Sequence, residues 1–391
     1  MKNVLILGGG FAGIEAAIYL RKYDFDVTLI SDREYLYVYP TSIWVPTAEA
    51  TFEEVTVSLR KLQDVHGFNL VIDEVESIKS TQKRVYCKNS RYDYEYLVIA
   101  LGSDKVEHKG IENTLSICSK PQESLQIKDS LDLLIKKGSG KICFGFGGNP
   151  KDPSNVRGGP IFELLFNVHH KLKKLGIRKN FELTFFAPMK EPGARMGKQA
   201  LKMMDGYFKR LDIEKITGKK IAEFKEGGIL FEDATFTESD LTLFIAAGSG
   251  HKVFKNSDLP LNDAGFVRIN NYCEVVFDEQ KGQNVYAIGD SAALEGPDWR
   301  AKQGHIAEVM ARNCAFNINS TQKNGSERKG YKEHLNILCV MDSGDGAAFV
   351  YRSDKKAMMI PMPLVGHWLK KGWGWYYKNS KLNKIPRLPG L

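Results

Sequence analysis

A cysteine near the end of the chain is the first residue whose surroundings could support chemistry. Cys339 lies in the apolar run of residues 335–341, which leads directly into the acidic, glycine-rich turn of residues 342–346. Cysteine is among the most often buried residue types, so a role as core filler is the simplest expectation. A thiol beside such a turn could instead act as a redox nucleophile, if positive charge and partial access favour its thiolate. The motif alone leaves both roles open.

Composition limits the classes of protein to which this chain can belong. Its 391 residues, 43% hydrophobic and 26% charged, are typical of a globular protein with two or three domains. Six cysteines are too few for a disulfide scaffold, and the sequence has no CxxC pair or zinc-like Cys/His spacing, so we expect no metal site. Residues 1–10 enter a strand without a signal peptide, and no apolar stretch approaches the roughly 20 residues of a membrane span, which favours the cytoplasm.

Positive charge is concentrated at the C-terminal end. The net charge is +8, and residues 366–391 contain six Lys or Arg and no acid, interleaved with Trp and Tyr. Basic and aromatic residues together are typical of segments that lie among lipid headgroups. A packing element with a solvated basic face is an equal alternative. We expect no nucleic-acid partner.

A glycine-rich turn lies inside a complete strand–helix–strand unit at the N-terminus. Residues 4–7 and 26–30 predict buried parallel strands, with a helix between them. The turn supplies the GxGxxG pattern and the start of the helix through Gly8, Gly10, Phe11, Ala12 and Gly13. In this context the pattern predicts a dinucleotide site, because the backbone can approach a pyrophosphate closely and the helix start presents free N–H groups. The ribose acid is expected at Ser31, but the carboxylate is Asp32, one residue later.

Two further buried strands end in small-residue turns. Residues 96–102 include Ala100 and Gly102, and residues 285–290 end in Gly289 and Asp290. With the N-terminal unit, these motifs resemble the flavoproteins with two dinucleotide-binding domains. The resemblance implies that they close around FAD and that Asp290 binds its ribityl chain.

A helix predicted over residues 302–310 follows the last of these motifs. Its N-terminus, with Lys302 and Gly304, would face the flavin and stabilise the anionic reduced form. Alternatively, Lys302 is a solvent-exposed residue at the start of this helix and does not contact the flavin.

A second Rossmann-like unit has an interrupted turn. Residues 141–146 predict its first strand, but residues 147–160 contain prolines and extra residues where NADH-oxidising relatives continue a glycine fingerprint. The helix is predicted to begin only near Pro160. This interruption argues against NADH as the electron donor.

Over nearly the whole chain, the sequence resembles the sulfide:quinone oxidoreductases. Residues 28–35 followed by Pro40 and Thr41 look like that family's path from adenine to flavin, and the motifs at Cys118 and Cys339 look like its first and last redox cysteines. The resemblance implies that Cys339 lies beside the flavin, and that the C-terminal tail seats the enzyme on the membrane and helps to form the quinone pocket.

The resemblance fails at the family's middle cysteine. Aligning Gly159 and Pro160 with the family motif places Arg157 where that cysteine should be. Either Cys118 and Cys339 form an unusual pair, or the sulfur relay is altered and the donor differs. Arg157 could hold an anionic substrate by paired hydrogen bonds, or be a solvated loop residue. Glu163 could relay protons, or be a charge on the helix surface.

These observations predict an α/β protein with two Rossmann-like domains and a C-terminal membrane-facing segment. The FAD domain would comprise residues 1–103 and 262–322, the second domain residues 104–261, and the quinone and membrane region residues 323–391. The resemblance implies transfer of two electrons from sulfide or a related donor to quinone, at the cytoplasmic face of the membrane, by a possible homo-oligomer. An NADH:quinone oxidoreductase of the same superfamily and a non-catalytic FAD-binding protein are the alternatives.

Overall fold

Helices and strands alternate along most of the chain in this computed structural model, which describes residues 2–278 and 283–388. In chain order, the helices are α1 (Phe11–Lys22), α2 (Tyr39–Ser42), α3 (Leu59–His66), α4 (Glu123–Lys137), α5 (Gly159–Lys174), α6 (Lys198–Arg210), α7 (Lys252–Lys255), α8 (Gly304–Gln322) and α9 (Val365–Lys381). The strands are β1 (Asn3–Leu7), β2 (Asp26–Ser31), β3 (Tyr35–Tyr37), β4 (Thr56–Ser58), β5 (Asn69–Ile72), β6 (Val75–Lys79), β7 (Arg84–Cys87), β8 (Arg91–Asp93), β9 (Tyr96–Ile99), β10 (Asp104–Lys105), β11 (Gly140–Phe146), β12 (Phe181–Ala187), β13 (Glu214–Thr217), β14 (Ile221–Lys225), β15 (Gly228–Phe231), β16 (Phe236–Glu238), β17 (Leu241–Ile245), β18 (Gly248–Ser249), β19 (Val267–Arg268), β20 (Val285–Ala287), β21 (Ala292–Ala293), β22 (Ile337–Asp342), β23 (Gly346–Arg352) and β24 (Ala357–Pro363).

The first parallel sheet has the strand order β20-β9-β1-β2-β5. Its central strands are continuous apolar runs because both faces of a parallel sheet are covered. The register pairs Leu7 with both Ile30 and Ile99, and Ile99 with Ala287. The turns that follow these strands therefore meet at one edge of the sheet, where doubly wound folds bind their ligands.

A second parallel sheet has the order β13-β12-β11-β17. β11 ends at Phe146 and α5 begins at Gly159, which confirms the prediction that the helix starts only near Pro160. Between the two sheets, β10 and β18 pair antiparallel. The predicted α/β fold with two Rossmann-like sheets is confirmed. The domain boundaries at 103/104, 261/262 and 322/323 stay a prediction.

The C-terminal segment adds the antiparallel sheet β22-β23-β24, against which α9 packs. Cys339 lies in the middle of β22, opposite Val350 of β23. The same helix also contacts α2. Through α9, the sheet that contains Cys339 is therefore packed against the rest of the protein.

The helix predicted to begin at residue 302 begins two residues later, at Gly304. Gln303 has extended backbone angles, and the N–H of Lys302 donates to the carbonyl oxygen of Ser154 at 2.9 Å. The predicted start was wrong because this long-range hydrogen bond holds the chain extended before α8.

Half of the basic residues of the C-terminal tail point into the protein. Lys370 pairs with Glu163, while Lys381 and Arg387 both pair with Glu15 of α1. The tail is therefore less basic on its outer surface than the sequence indicates. Within residues 2–278 and 283–388, the structure contains no helix with the length and apolar character of a membrane span.

Candidate functional site

A cavity of about 1910 Å³ lies between the first sheet, the loop after β11, β22 and α9. Most of the residues predicted to bind or react line it: Gly8, Gly10, Phe11, Ala12, Asp32, Pro40, Ala100, Gly102, Cys118, Arg157, Glu163, Gly289, Asp290, Lys302, Gly304 and Cys339. Three predicted residues are absent from the described lining, namely Gly13, Ser31 and Thr41. The fold thus gathers residues from seven separate stretches of the sequence around one space: 8–12, 32–40, 100–102, 118, 157–163, 289–304 and 339.

The glycine turn opens onto this cavity at the start of α1. Gly8 has a φ of 108°, and a Cβ there would collide with the carbonyl oxygen of Ala100. A Cβ on Gly13 would collide with the carbonyl oxygen of Gly8, so Gly13 permits close helix–strand packing behind the wall. Gly10 faces open space, and no side chain caps the helix there. Free N–H groups of the first turn are therefore available to a pyrophosphate.

Lys302 is buried beside Asp290, so the alternative of a solvated helix start is wrong for it. Its Nζ donates to the backbone oxygen of Asp290 at 2.9 Å and lies 3.0 Å from the centre of the Phe266 ring. Burial lowers the pKa of Lys302 well below its usual value, and Asp152 only partly opposes this. A bound anion would restore the charge of such a lysine. With the glycine turn and Asp32, these groups fit FAD.

Arg157 is not a solvated loop residue. Its guanidinium forms an ion pair with Asp290, and the two side chains are only 23% and 20% exposed. Its Nε donates to Asn155 Oδ1 at 3.4 Å. The sequence assigned separate roles to Arg157 and Asp290, whereas the fold brings them together. Arg157 would have to leave Asp290 before it could clamp an external anion with both nitrogens.

Cys118 and Cys339 line the same cavity, and each of the six cysteines is a free thiol. The partly exposed surface of Cys339 faces this cavity. Burial raises the pKa of Cys339 to about 12, with Glu163 adding to the rise and Lys370 opposing it. The surrounding protein therefore keeps this thiol protonated at neutral pH, in contrast to the electropositive site expected for a thiolate.

Lys105 is a cation near Cys118 that the sequence did not single out. Lys105 lines the cavity. Its burial, and to a lesser extent the positive charge of Arg157, lower the pKa of Lys105 to about 8, whereas Cys118 opposes this change. Lys105 pairs with Gly248 in the short β10–β18 ribbon. A ribbon of two residues per strand leaves no periodicity in the sequence from which its position could be predicted.

Glu163 is buried on α5 and is not a helix-surface charge. It forms an ion pair with Lys370 of α9, and its Oε1 accepts the backbone N–H of Asp342 at 2.8 Å. Burial raises the pKa of Glu163, although Lys370 opposes the rise. A carboxyl group of raised pKa on a cavity wall is suited to donate a proton.

Sequence reasoning missed Lys370 as a partner, although α9 carries a signal. The buried residues of α9 recur at helical spacing and are small or polar: Gly366, His367, Lys370, Gly374, Tyr377, Ser380 and Lys381. The outer face is apolar instead, with Trp368 70% exposed and Trp375 60% exposed beside Val365 and Leu369. This reversed pattern is typical of a helix whose outer face meets an apolar partner or a membrane.

Residues 2–148 match the family described as pyridine nucleotide-disulphide oxidoreductase. The chain is 25% identical over 401 residues to the sulfide-quinone reductase of Aquifex aeolicus, covering 96% of this chain and 90% of that protein. It is 32% identical over 384 residues to the type II NADH:quinone oxidoreductase of Staphylococcus aureus, covering 90% of each.

Two solved structures share the fold. The sulfide:quinone oxidoreductase from Aquifex aeolicus superposes with a TM-score of 0.87 at 24% identity, covering 98% of this chain and 92% of that chain. NDH2 from Plasmodium falciparum, solved with NADH, gives a TM-score of 0.76 at 13% identity, covering 100% and 99%.

Proposed function

This chain belongs to the pyridine nucleotide-disulphide oxidoreductases and is an FAD-dependent oxidoreductase, and from this premise we propose that it passes electrons from sulfide to a membrane quinone. One observation carries the proposal: Cys339 lies on the wall of the cavity onto which the glycine turn opens. The likeness to a sulfide-quinone reductase over 96% of the chain supports the choice of donor.

Sulfide is a two-electron donor whose sulfur atom needs an acceptor. Hydrosulfide and the Cys339 thiol would form a Cys339 persulfide, and this step releases two electrons and one proton. A second hydrosulfide would then remove the outer sulfur as hydrodisulfide and restore the thiol. FAD supplies the two-electron carrier between this thiol and the quinone. Lys370, whose charge opposes the raised pKa of Cys339, would stabilise the thiolate as it forms. Lys105, which lines the same cavity and is electrostatically coupled to Cys118, would attract the incoming anion.

The second candidate is an NADH:quinone oxidoreductase. The 32% identity to the Staphylococcus aureus enzyme favours it. The loop from Phe146 to Gly159 argues against it, because Pro150 and Pro153 interrupt the turn and Asn149 is tied to the carbonyl oxygen of Gly248 at 3.0 Å. A dinucleotide turn needs free backbone N–H groups at the start of the helix, directly after the strand.

Steady-state quinone reduction distinguishes the two donors. We expect vesicle-bound protein loaded with FAD to reduce a short-chain quinone when sulfide is supplied, and to show little activity with NADH. Activity with NADH alone would establish the second candidate and refute sulfide as the donor. No reduction with either donor would favour a flavoprotein without turnover.

The outer face of α9 is proposed to hold the protein on the membrane. We expect the double variant Trp368→Gln/Trp375→Gln to bind vesicles of phosphatidylcholine and phosphatidylglycerol at least about tenfold more weakly, because each exposed tryptophan contributes roughly 1–2 kcal/mol of apolar burial. Co-sedimentation measures this affinity. Leu133→Gln is the matched control, since Leu133 is 68% exposed but belongs to a different helix, α4. Equal binding by the double variant and the wild type would refute this membrane surface.

A further inference from the structure

The inner face of α9 forms one wall of the cavity. Trp373, Tyr377 and Lys381 line the cavity from this helix, and Arg387 lines it from the residues that follow. The ring of Tyr377 stacks on Phe11, with the ring centres 5.0 Å apart. Phe11 is the first residue of α1, the helix whose free N–H groups are available to a pyrophosphate. Residues 365–388, which we call the C-terminal cover, therefore lie over the cavity beside the glycine turn.

Charged and polar contacts hold the C-terminal cover in place. The buried residues of α9 are mostly small, polar or charged, whereas the buried face of a helix is usually apolar. Lys381 lies between Glu15 of α1 and Glu308 of α8, and its Nζ is 2.6 Å from Glu308 Oε1. Arg387 reaches back to the same Glu15 at 2.5 Å. Polar interfaces of this kind within one chain typically allow the two parts to move relative to each other.

Glu15 is the residue on which these contacts converge. Its side chain is fully buried, and Arg312 of α8 is a third cation, 3.3 Å from Glu15 Oε1. Burial acts to raise the pKa of Glu15, but the charges of Lys381 and Arg387 outweigh it and hold this pKa below its usual value. Glu15 is therefore ionised at neutral pH. The two ion pairs that Lys381 and Arg387 form with it, which we call the latch, fasten the end of the C-terminal cover by charge.

The other end of α9 has the backbone of a hinge. Leu364, immediately before the helix, has a φ of 60° and a ψ of −60°, a conformation that residues with side chains rarely adopt. Rotation of the helix about this residue would relieve the strain. In the middle of the helix, Gly374 permits close approach to α2, because a Cβ there would lie 2.6 Å from Thr41 Cγ2. The C-terminal cover thus has a strained start, a close contact in its middle and a latched end.

We propose that the C-terminal cover swings about Leu364 to admit and release FAD, and that the ion pairs of Lys381 and Arg387 with Glu15 latch it closed. In the closed position, the stack of Tyr377 on Phe11 covers the start of α1. Release of FAD then requires the latch to separate, so the strength of the latch sets the rate of release. The inference rests on the bound FAD and does not depend on the electron donor or on the quinone.

Weakening the latch should speed the release of FAD. Arg387→Gln removes one ion pair and leaves Glu15 paired with Lys381 and Arg312. FAD-loaded protein is diluted, and the FAD that passes an ultrafiltration membrane at timed intervals gives the dissociation rate. We expect Arg387→Gln to release FAD about tenfold faster or more, because a hydrogen bond between charged groups contributes about that factor. Lys384→Gln is the matched control, since it removes a positive charge from the same tail but Lys384 is exposed, and its rate should equal that of the wild type.

A crosslink tests the motion of the C-terminal cover directly. A Cβ on Gly374 would lie 3.8 Å from Thr41 Cβ, a separation found in natural disulfides. The double variant Thr41→Cys/Gly374→Cys, oxidised with glutathione disulfide, should release FAD at least about tenfold more slowly than the same variant reduced with dithiothreitol. The wild-type protein, oxidised and reduced in the same way, controls for its own six cysteines.

The same crosslink in the Arg387→Gln background separates a latch from a direct contact with FAD. If Arg387 acts by latching, the oxidised triple variant should release FAD as slowly as the oxidised double variant. The latch is overturned by fast release from the oxidised triple variant, by wild-type release from Arg387→Gln, or by equal release from the two forms of the double variant. Should Arg387→Gln not fold, the two forms of the double variant decide the question alone. None of these measurements uses sulfide or quinone, so failure of the latch and failure of the proposed function are distinguishable.

Discussion

Replacing Cys339 by serine should lower the rate of flavin reduction by sulfide by roughly three orders of magnitude or more, while the visible spectrum of bound FAD stays unchanged. A hydroxyl oxygen cannot form the sulfur–sulfur bond that accepts the donor atom. Cys339 is also placed for this role, since it lines the cavity. Anaerobic stopped-flow measurement of flavin absorbance after mixing with sulfide gives the rate.

The control for this variant is Cys87→Ser, which changes a buried cysteine on β7 outside the cavity lining. Cys87→Ser should be reduced by sulfide at the wild-type rate. Sulfide reduction of Cys339→Ser at the wild-type rate would remove the thiol from the mechanism. Because burial raises the pKa of Cys339 to about 12, the thiolate fraction grows about tenfold per pH unit below that value. A step that needs this thiolate should therefore quicken as pH rises.

Glu163→Gln should slow flavin reoxidation by quinone by about a hundredfold. Flavin reduction by sulfide should not slow, because the substitution removes one of the two causes that raise the pKa of Cys339. The amide keeps the size of the side chain and can still accept the Asp342 N–H, but it has no proton to give. The substitution also leaves Lys370 buried without its carboxylate, which costs about 3–5 kcal/mol of stability. Rapid mixing of the reduced variant with quinone measures the effect on the proton step.

A double variant separates proton donation from lost stability. Glu163→Gln/Lys370→Met removes the unpaired buried charge, so the melting temperature should recover toward the wild-type value while quinone reduction stays slow. Glu191→Gln is the matched control, because Glu191 also lines the cavity but is exposed. Reoxidation of Glu163→Gln at the wild-type rate would show that the quinone obtains its proton elsewhere.

The residues around the glycine turn could be predicted because their signals are local. A buried strand, a turn and a helix lie within 31 residues, and parallel register brings the ends of β1, β2, β9 and β20 to one edge. The late start of α5 was predicted for the same reason, since Pro150 and Pro153 act on the backbone where they stand.

Pairings between distant residues could not be predicted in the same way. Arg157 and Asp290 are 133 residues apart, and Lys370 and Glu163 are 207 apart, so neither contact leaves a spacing pattern. The surface charge of the C-terminal tail was overestimated for a related reason. Composition counts Lys370, Lys381 and Arg387 as surface charge, whereas buried carboxylates of α1, α5 and α8 neutralise them. Only the periodic small and polar residues of α9 indicated which face of the helix is buried.

Anaerobic addition of sulfide to one sample of the FAD-loaded wild-type protein, and of NADH to another, is the decisive measurement. Loss of visible flavin absorbance with sulfide, and no faster loss with NADH, is the expected result. It would establish that sulfide reduces the flavin of this protein although Arg157 stands at the position of the family's middle cysteine. Loss of absorbance with NADH alone would mean that the interrupted turn after β11 still binds a nicotinamide dinucleotide, and sulfide would then be the wrong donor.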